Sequence, residues 1–234
     1  AGASIALVAR SEENLREVAA GIAAGGGRAE ALPADLTESG RPASMVAEAA
    51  ARLGGLDIVV NVAGVSRRSD PIDISNDDID LAIDLKLRAS VEITKAAVPL
   101  LRERGGGSII FISGLSHVHT HVFHGSGCIP NAALAAYKHQ LAKRVAPDGI
   151  RVNMLNPGAT ATPRMARQTK RASELTGKTI DEVKAKRLAA IPMGRFVSAD
   201  DIATTVLYLV SDLAGSVTGN SINVDGGECQ AVRV

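Results

Sequence analysis

The sequence predicts an α/β protein with a doubly wound, mostly parallel, Rossmann-type sheet that carries helices on both faces. Short apolar segments alternate along the chain with helical patterns of ten or more residues, which is the order typical of βαβ units. Several predicted strands are continuous apolar runs, as expected for strands that are covered on both faces. The 234 residues contain no internal repeat or linker, so we expect one domain over residues 1–234.

Strands are predicted wherever apolar residues form a short run that ends at a polar or glycine residue. The first of them stops at Arg10, and the third ends in Asn61-Val62-Ala63-Gly64. The predicted strands are Ala3–Ala9, Ala29–Ala34, Leu56–Val60, Ser108–Ile112, Ile150–Leu155 and Ser221–Asp225.

Helices are predicted from N-cap residues that precede amphipathic stretches. Ser11, Ser75 and Ser198 are such caps, and acidic residues follow each of them. Glycine runs at 25–27 and 105–107 end two of the helices. The predicted helices cover 12–24, 42–53, 75–101, 131–145 and 198–213, and a polar, helix-prone insertion lies at 163–190.

Composition argues against nucleic acid and membrane partners. Lys plus Arg is 26 and Asp plus Glu is 25, so no charge excess favours an anionic surface. Aromatic residues make up only 2% of the chain, and no apolar run is long enough to span a membrane. Cys128 and Cys229 form no CxxC pair. We therefore expect a reduced, cytoplasmic protein with a small-molecule substrate.

Ligands of doubly wound sheets bind beyond the carboxyl ends of the strands. The residues that follow the predicted strands are therefore the candidates for a binding site. They are Arg10, Asp35, the segment 61–64, Ser113 with the residues after it, and the segment 156–162.

These strand ends, together with the C-terminal segment, resemble the short-chain dehydrogenase/reductase family over nearly the whole chain. Six segments occur in the family's order and at its spacing. They are Asp35-Leu36, Asn61-Val62-Ala63-Gly64, Ile150–Asn153 followed by Pro157-Gly158 and Thr162, Ile191–Arg195, Thr218-Gly219 and Val224–Gly227.

The resemblance implies an NAD(P)(H)-dependent oxidoreductase that acts on a carbonyl or alcohol. Arg10 favours NADP(H) over NAD(H), because a cation at this position accommodates the 2′-phosphate. A solvated arginine at a helix start is the alternative, and the Asn-x-Ala-Gly turn could simply tie strand ends together. The cofactor-binding residues implied are Arg10, Asp35, Leu36, Asn61, Ala63, Gly64, Asn131, Pro157, Gly158 and Thr162.

The family's first strand and its glycine-rich, phosphate-binding turn have no counterpart in these residues. The glycine runs at 25–27 and 105–107 follow helices, so neither directs a helix N-terminus at a pyrophosphate. In the family that strand occupies the middle of the sheet. We therefore expect a missing first strand, an N-terminally truncated domain and an open position between the strands at Ala3 and Leu56.

The residues that perform the family's chemistry are also replaced. The family uses a Ser, a Tyr, a Lys four residues after the Tyr, and an Asn from an earlier helix. Aligning 131–134 with the family's Lys-Ala-Ala-Leu assigns the four positions to Gly114, Gly127, Asn131 and Asp84, respectively. No Tyr-x-x-x-Lys exists elsewhere, because Leu141 and Asp212 stand four residues after Tyr137 and Tyr208. Standard Ser-Tyr-Lys catalysis is therefore not expected.

Four histidines lie close together at 117, 119, 121 and 124. On an extended strand, His117, His119 and His121 would share one face and could begin a metal site. His124 or His121 could replace the missing acid, and Ser113 or Ser116 the missing hydroxyl. A polar loop over a pocket is the plainer interpretation, and we assign no metal ligand.

Three functions remain open from the sequence. The first is a divergent NADP(H)-dependent oxidoreductase, the second a non-catalytic nucleotide- or ligand-binding homologue or partner subunit, and the third a metal-dependent activity. The family resemblance implies a homodimer or homotetramer, formed through the helices at 77–101 and 131–145 and the last strand. The insertion at 163–190 is expected to cover the substrate.

Overall fold

Six parallel strands carry the fold in the part of the chain that the structure describes. The structure is a computed structural model that describes residues 2–67, 69–120 and 122–229, without the side chains of 122–124, 171 and 175. The strands form two sheets, in the orders β1-β2 and β3-β4-β5-β6. They are β1 Ser4–Ala9, β2 Arg28–Pro33, β3 Ile58–Asn61, β4 Gly107–Ile112, β5 Ile150–Pro157 and β6 Ser221–Val224.

The helices follow the predicted alternation. They are α1 Glu12–Ala24, α2 Arg41–Leu53, α3 Asn76–Ala82, α4 Ala89–Glu103, α5 Cys128–Val145, α6 Pro163–Thr176, α7 Ile180–Leu188 and α8 Ala199–Val210. Short 3₁₀ turns lie at Leu115–His117, Val122–Gly127, Ala146–Asp148 and Asp212–Ala214. Among the described residues, no helix combines the length and the apolarity that crossing a lipid bilayer would require.

Both faces of the larger sheet are covered, which confirms the doubly wound prediction. Ile109 and Phe111 of β4 are fully buried in a core shared with residues of α2, α4 and α5. Ile110 points to the opposite face and packs with Leu209 of α8. Because successive side chains of a strand alternate between faces, a strand covered on both sides is apolar at consecutive positions, as β4 is from Ile109 to Ile112.

The two sheets separate at the edges of β1 and β3. Within the described residues, β1 pairs only with β2, and β3 pairs only with β4. Ile5 on β1 and Val60 on β3 are 40% and 39% exposed. The separation agrees with the prediction that the strands at Ala3 and Leu56 are not neighbours. It leaves two strand edges whose backbone groups have no strand partner in this part of the chain.

Serine caps begin three helices as predicted. The hydroxyls of Ser11 and Ser75 each accept a hydrogen bond from the backbone N–H three residues further along the chain, at 3.3 and 3.2 Å. Ser198 and Asp201 form a complete capping box, with the two bonds at 2.8 and 3.0 Å. The last helix ends at Val210 rather than near Leu213, because a 3₁₀ turn replaces its final turn.

The single long helix predicted for 75–101 is interrupted. A π-helical segment, Ile83–Arg88, joins α3 to α4. A π turn widens the helix locally and changes the direction in which its side chains point. The interruption lies beside the carboxyl end of β3 and therefore affects the candidate site.

The two tyrosines have different environments. Tyr137 on α5 packs edge-on against Phe111, with ring centroids 6.2 Å apart, and burial raises the pKa of its phenol. Tyr137 thus packs against the main core. Tyr208 on α8 is 44% exposed and lies at the surface.

Gly158 provides a test of packing at the end of β5. A Cβ at this position would lie 2.8 Å from the Cβ of Asp225 and 2.9 Å from its Cα. We expect Gly158→Ala to lower the free energy of unfolding by about 1–3 kcal/mol, because the backbone there cannot move aside. Urea denaturation measures the change.

Gly21 is the matched control for this substitution. It lies inside α1, and nothing lies within 4 Å of an added Cβ. Gly21→Ala should raise the free energy of unfolding by about 0.5–1 kcal/mol, because alanine favours the helix. Equal effects of the two substitutions would contradict the packing argument.

Candidate active site

Polar residues from four elements meet beyond the carboxyl ends of β3 and β4. Asn61 ends β3, Ser113 follows β4, Lys86 lies on the π segment, and Asn131 lies in the first turn of α5. The parallel strands bring these residues to one edge of the sheet, as the sequence predicts.

Three buried polar atoms at this edge have no hydrogen-bond partner within the described structure. They are Nδ2 of Asn61, Oγ of Ser113 and Oδ1 of Asn131. Leaving such atoms unsatisfied is costly, so buried polar groups usually have a partner. A polar ligand at this edge could supply the missing partners.

Asn131 is held in place by a neighbouring hydroxyl. Its Nδ2 donates a hydrogen bond of 2.7 Å to Oγ of Ser116, which lies on the 3₁₀ turn after β4. A Cβ on Gly114 would lie 3.4 Å from the same nitrogen. Positions 114 and 131 therefore adjoin each other, as the alignment requires, and Ser116 provides the hydroxyl that Gly114 lacks.

The position assigned to the family tyrosine has no room for a side chain. A Cβ on Gly127 would lie 2.5 Å from the Cβ of Ser66. Ser66 follows the Asn-x-Ala-Gly turn, so the loop after β3 lies against position 127. A tyrosine at 127 could not be accommodated unless Ser66 were displaced.

Lys86 points into the site, and the sequence analysis did not single it out. Its Nζ donates a hydrogen bond of 3.4 Å to the backbone oxygen of Ser113. A Cβ on Gly64 would lie 3.2 Å from that Nζ, so only glycine leaves the amine this space. Burial lowers the pKa of Lys86 to about 8, and the positive charge of Arg164 acts in the same direction.

Asp84 does not occupy the site. Its carboxylate pairs with Arg88 one helical turn later, and Lys86 is the π-segment residue that reaches β4. The position that the alignment assigns to the family's asparagine therefore holds a carboxylate engaged on the π segment itself. The sequence offered no clear signal for Lys86, because Asp84 and Arg88 alternate with apolar residues on either side of it.

The histidines do not form the predicted extended row. Residues 115–117 form a 3₁₀ turn, and Nδ1 of His117 lies 2.9 Å from the backbone oxygen of Gly114. Because the segment is not a strand, the alternation needed for a metal site is lost. No cluster of three potential metal ligands occurs in the described ranges. His121 and the side chain of His124 lie outside them.

A second polar cleft lies at the carboxyl ends of β1 and β2. Arg10, Pro33, Asp35, Glu38 and Arg41 line it. The backbone N–H and the hydroxyl of Thr37 donate to the Asp35 carboxylate at 2.9 and 2.7 Å. These bonds, and the nearby charge of Arg10, hold the pKa of Asp35 below its ordinary value. The cleft thus offers an exposed guanidinium next to an ionised carboxylate.

The other residues implied by the resemblance have mixed environments. Leu36 packs against the main core, and Ala63 is exposed in the loop after β3. Pro157 ends β5, and Gly158 donates a backbone hydrogen bond of 2.9 Å to Val224. Thr162 is the N-cap of α6. The last three therefore shape the backbone beside the site.

The insertion at 163–190 consists of α6 and α7, which contact each other. Arg187 of α7 donates a hydrogen bond of 3.0 Å to the buried hydroxyl of Thr169 on α6. Arg164, in the first turn of α6, donates one of 3.3 Å to the backbone oxygen of Ser66. The insertion is therefore attached to the loop that fills the space beside Gly127.

Replacing Lys86 with an uncharged side chain should change stability in a pH-dependent way. The native pKa of about 8 lies below the ordinary 10.5, so the ammonium form opposes folding below pH 8. We expect Lys86→Met to raise the free energy of unfolding at pH 7 by roughly 1–3 kcal/mol. The gain should shrink as the pH rises from 8 towards 10.5.

Urea denaturation between pH 6 and pH 10 measures this effect. Lys95→Met on the exposed side of α4 is the control, and it should show no such trend. A gain for Lys86→Met that is absent, or constant with pH, would show that burial does not disfavour the charge.

Comparison with known proteins gives consistent matches along the chain. Residues 1–228 match the family described as enoyl-(acyl carrier protein) reductase. The 2-(S)-hydroxypropyl-CoM dehydrogenase 3 of Xanthobacter autotrophicus is 31% identical over 229 residues, which are 97% of this chain and 87% of that protein. The short-chain reductase protein NovJ of Streptomyces niveus is 27% identical over 226 residues, covering 97% and 84%.

Solved structures also match nearly the whole chain. The L-sorbose reductase of Gluconobacter frateurii, complexed with NADPH and L-sorbose, superimposes with a TM-score of 0.93 at 28% identity. The match covers 99% of this chain and 89% of that one. The 7α-hydroxysteroid dehydrogenase complexed with NADH and 7-oxo glycochenodeoxycholic acid gives 0.89 at 26% identity, covering 99% and 87%.

Proposed function

Because this chain belongs to the short-chain dehydrogenase/reductase family, we propose that it is an NADP(H)-dependent oxidoreductase of a small carbonyl or alcohol with a non-standard catalytic site. The observation that carries the proposal is the group of unsatisfied polar atoms on Asn61, Ser113 and Asn131. They lie at the strand edge where a doubly wound sheet binds its ligand. NADPH is bound in the similar L-sorbose reductase.

The residues present fit the two ends of a dinucleotide. Arg10 can bind a 2′-phosphate, with Asp35 beside it for a ribose or adenine group. At the other end, the free Oδ1 of Asn131 can accept a hydrogen bond from a ribose hydroxyl. A pyrophosphate between these two ends is usually bound at a helix N-terminus. Neither glycine run, 25–27 or 105–107, lies at one, because they follow α1 and α4.

When bound, the cofactor supplies or accepts the hydride. The chain's own part is to position the substrate and exclude water. The hydroxyls of Ser113 and Ser116 are the candidates for orienting a substrate oxygen, and the α6–α7 insertion is the candidate cover. Asn131 carries no charge and cannot do what a lysine does for a phenol.

A non-catalytic, ligand-binding homologue is the second candidate. The contact between Ser66 and Gly127 favours it, because the space for the family's tyrosine is filled. A binding function needs only the unsatisfied polar atoms, whereas turnover also needs a source for the proton.

Turnover with NADPH separates the two candidates. We expect the fluorescence of NADPH to change on binding, and the cofactor to be oxidised when a panel of ketones and aldehydes is added. Binding without oxidation across the panel would support the non-catalytic homologue and refute the oxidoreductase.

Arg10 should determine cofactor preference. We expect Arg10→Ala to weaken NADPH binding by about tenfold or more, because a charge-assisted bidentate contact with the 2′-phosphate is lost. NADH, which lacks that phosphate, should bind nearly as before. Titration of cofactor fluorescence measures both affinities.

Arg16→Ala is the control for Arg10, since Arg16 lies on α1, just after Arg10, but pairs with Glu12 at the surface. It should leave both affinities unchanged. Equal losses for NADPH and NADH in Arg10→Ala would argue against 2′-phosphate recognition.

We further propose a homo-oligomer in a reducing compartment such as the cytoplasm. Ile129 on α5 is 42% exposed, and Leu207 and Tyr208 on α8 are 52% and 44% exposed, so both helices present apolar surface. Cys128 and Cys229 are unpaired among the described residues, which fits reducing conditions. Light scattering coupled to gel filtration would test for a dimer or tetramer.

A further inference from the structure

We propose that Lys86 is the catalytic acid and base of this site, and that its amine exchanges a proton with the substrate oxygen. The proposal deepens the oxidoreductase function and rests on it. Among the described residues, Lys86 brings an ionisable amine to Ser113 at the carboxyl end of β4. Lys86 thereby supplies the proton for which the family would use a tyrosine at position 127.

The position of the amine supports this role. Lys86 reaches Ser113 from the π segment, while Asn131 approaches the adjacent Gly114 from α5. The side chains of Lys86 and Asn131 therefore reach the same end of β4 from different helices. The amine bonds the backbone oxygen of Ser113, the same residue whose hydroxyl has no partner among the described residues, so a substrate oxygen bound at Ser113 has both groups in its surroundings.

The backbone around Lys86 accommodates its side chain. The π turn directs Lys86 inward, whereas Asp84 on the same segment pairs outward with Arg88. At Gly64 an added Cβ would press against both Cδ and Nζ of the lysine, at 3.2 Å each. The π turn and the lack of a side chain at Gly64 therefore both make room for the Lys86 amine.

The charged groups around Lys86 leave it able to change protonation state. Arg164 on α6 is the charge that acts on it, and it lowers the pKa of Lys86 together with burial. On the neighbouring α3, Asp78 pairs with Arg67 at 2.7 Å. A pKa of about 8 populates both the ammonium and the amine near neutral pH, as acid–base catalysis requires.

The other acidic groups nearby are held in different contacts. Nδ1 of His117 lies 2.9 Å from the Gly114 backbone oxygen, and Sγ of Cys128 donates to the Gly125 oxygen at 3.4 Å. The hydroxyl of Ser113 is too weak an acid to give up its proton near neutral pH, so its role is to orient the substrate.

The proton and electron balance is complete with one cofactor. In reduction, the carbonyl carbon accepts a hydride from the reduced cofactor, and the carbonyl oxygen takes one proton from the Lys86 ammonium. An alcohol, the oxidised cofactor and a neutral amine result. The amine then regains one proton from water, and alcohol oxidation runs through the same transfers in reverse.

Lysine NMR tests the amine without cofactor or substrate. In protein labelled with ¹³C-lysine, we expect one ε-carbon resonance to titrate near pH 8 and to be missing in Lys86→Met. If the Lys86 resonance titrates with those of the other lysines, the amine does not change state near neutral pH and the proposal fails.

Turnover then tests the role of the proton, using NADPH and whichever ketones of the panel the wild type reduces. Lys86→Met and Lys86→Arg should each lower kcat by about 10²–10⁴-fold, because neither side chain can exchange a proton near pH 8. Their affinity for NADPH should stay within about threefold of wild type, since Lys86 is not assigned to cofactor binding. Lys95→Met, on the exposed side of α4, should behave as wild type.

The pH profile separates proton donation from a purely structural role. The wild-type reduction rate should fall as the pH rises through about 8, and this dependence should disappear in Lys86→Arg. A Lys86→Arg protein that reduces ketones at the wild-type rate would overturn the proposal while the oxidoreductase function stands. A folded wild type that binds NADPH but oxidises none of it overturns both the oxidoreductase function and the acid–base role of Lys86. This holds even if the Lys86 resonance titrates near pH 8.

Discussion

The parallel pairing of β3, β4 and β5 is the constraint on which the candidate site depends. Parallel strands end on the same side of a sheet, so the residues that follow them are brought together although they are distant in sequence. Asn61, Ser113 and Asn131 meet for this reason. The burial of β4 between two layers of helices makes their positions rigid, because Ile109, Ile110 and Phe111 are fully enclosed.

The proposed non-standard site combines the replaced motif residues with the packing of the residues around them. Loss of a tyrosine at 127 would leave a cavity if nothing else changed, and cavities are costly. Instead, Ser66 occupies the space, and Arg164 of the insertion holds the backbone of Ser66. Ser116 likewise provides a hydroxyl next to Asn131. Such compensations indicate a site that has settled into a different arrangement, with Lys86 as its buried amine.

Much of the architecture could be predicted from local patterns. The caps at Ser11, Ser75 and Ser198 begin helices as expected, because a capping hydrogen bond involves residues only three apart. The interruption at Ile83–Arg88 could not be predicted in this way, since a π turn in a helical pattern depends on what packs against it. Asp84 lies on the same segment and pairs with Arg88, a contact that the motif alignment does not contain. The extended row of histidines failed because a 3₁₀ turn removes the alternation.

By itself, the sequence determined the fold class, the order of the elements, the strand ends predicted to bind a ligand and the absence of Tyr-x-x-x-Lys. These follow from hydrophobic periodicity and from motifs whose residues lie close together along the chain. Only the tertiary structure decided that Lys86 reaches Ser113, that Ser66 fills the space beside Gly127, and that Asn131 keeps an oxygen without a partner. Each of these depends on distances between residues far apart in sequence, which no local pattern contains.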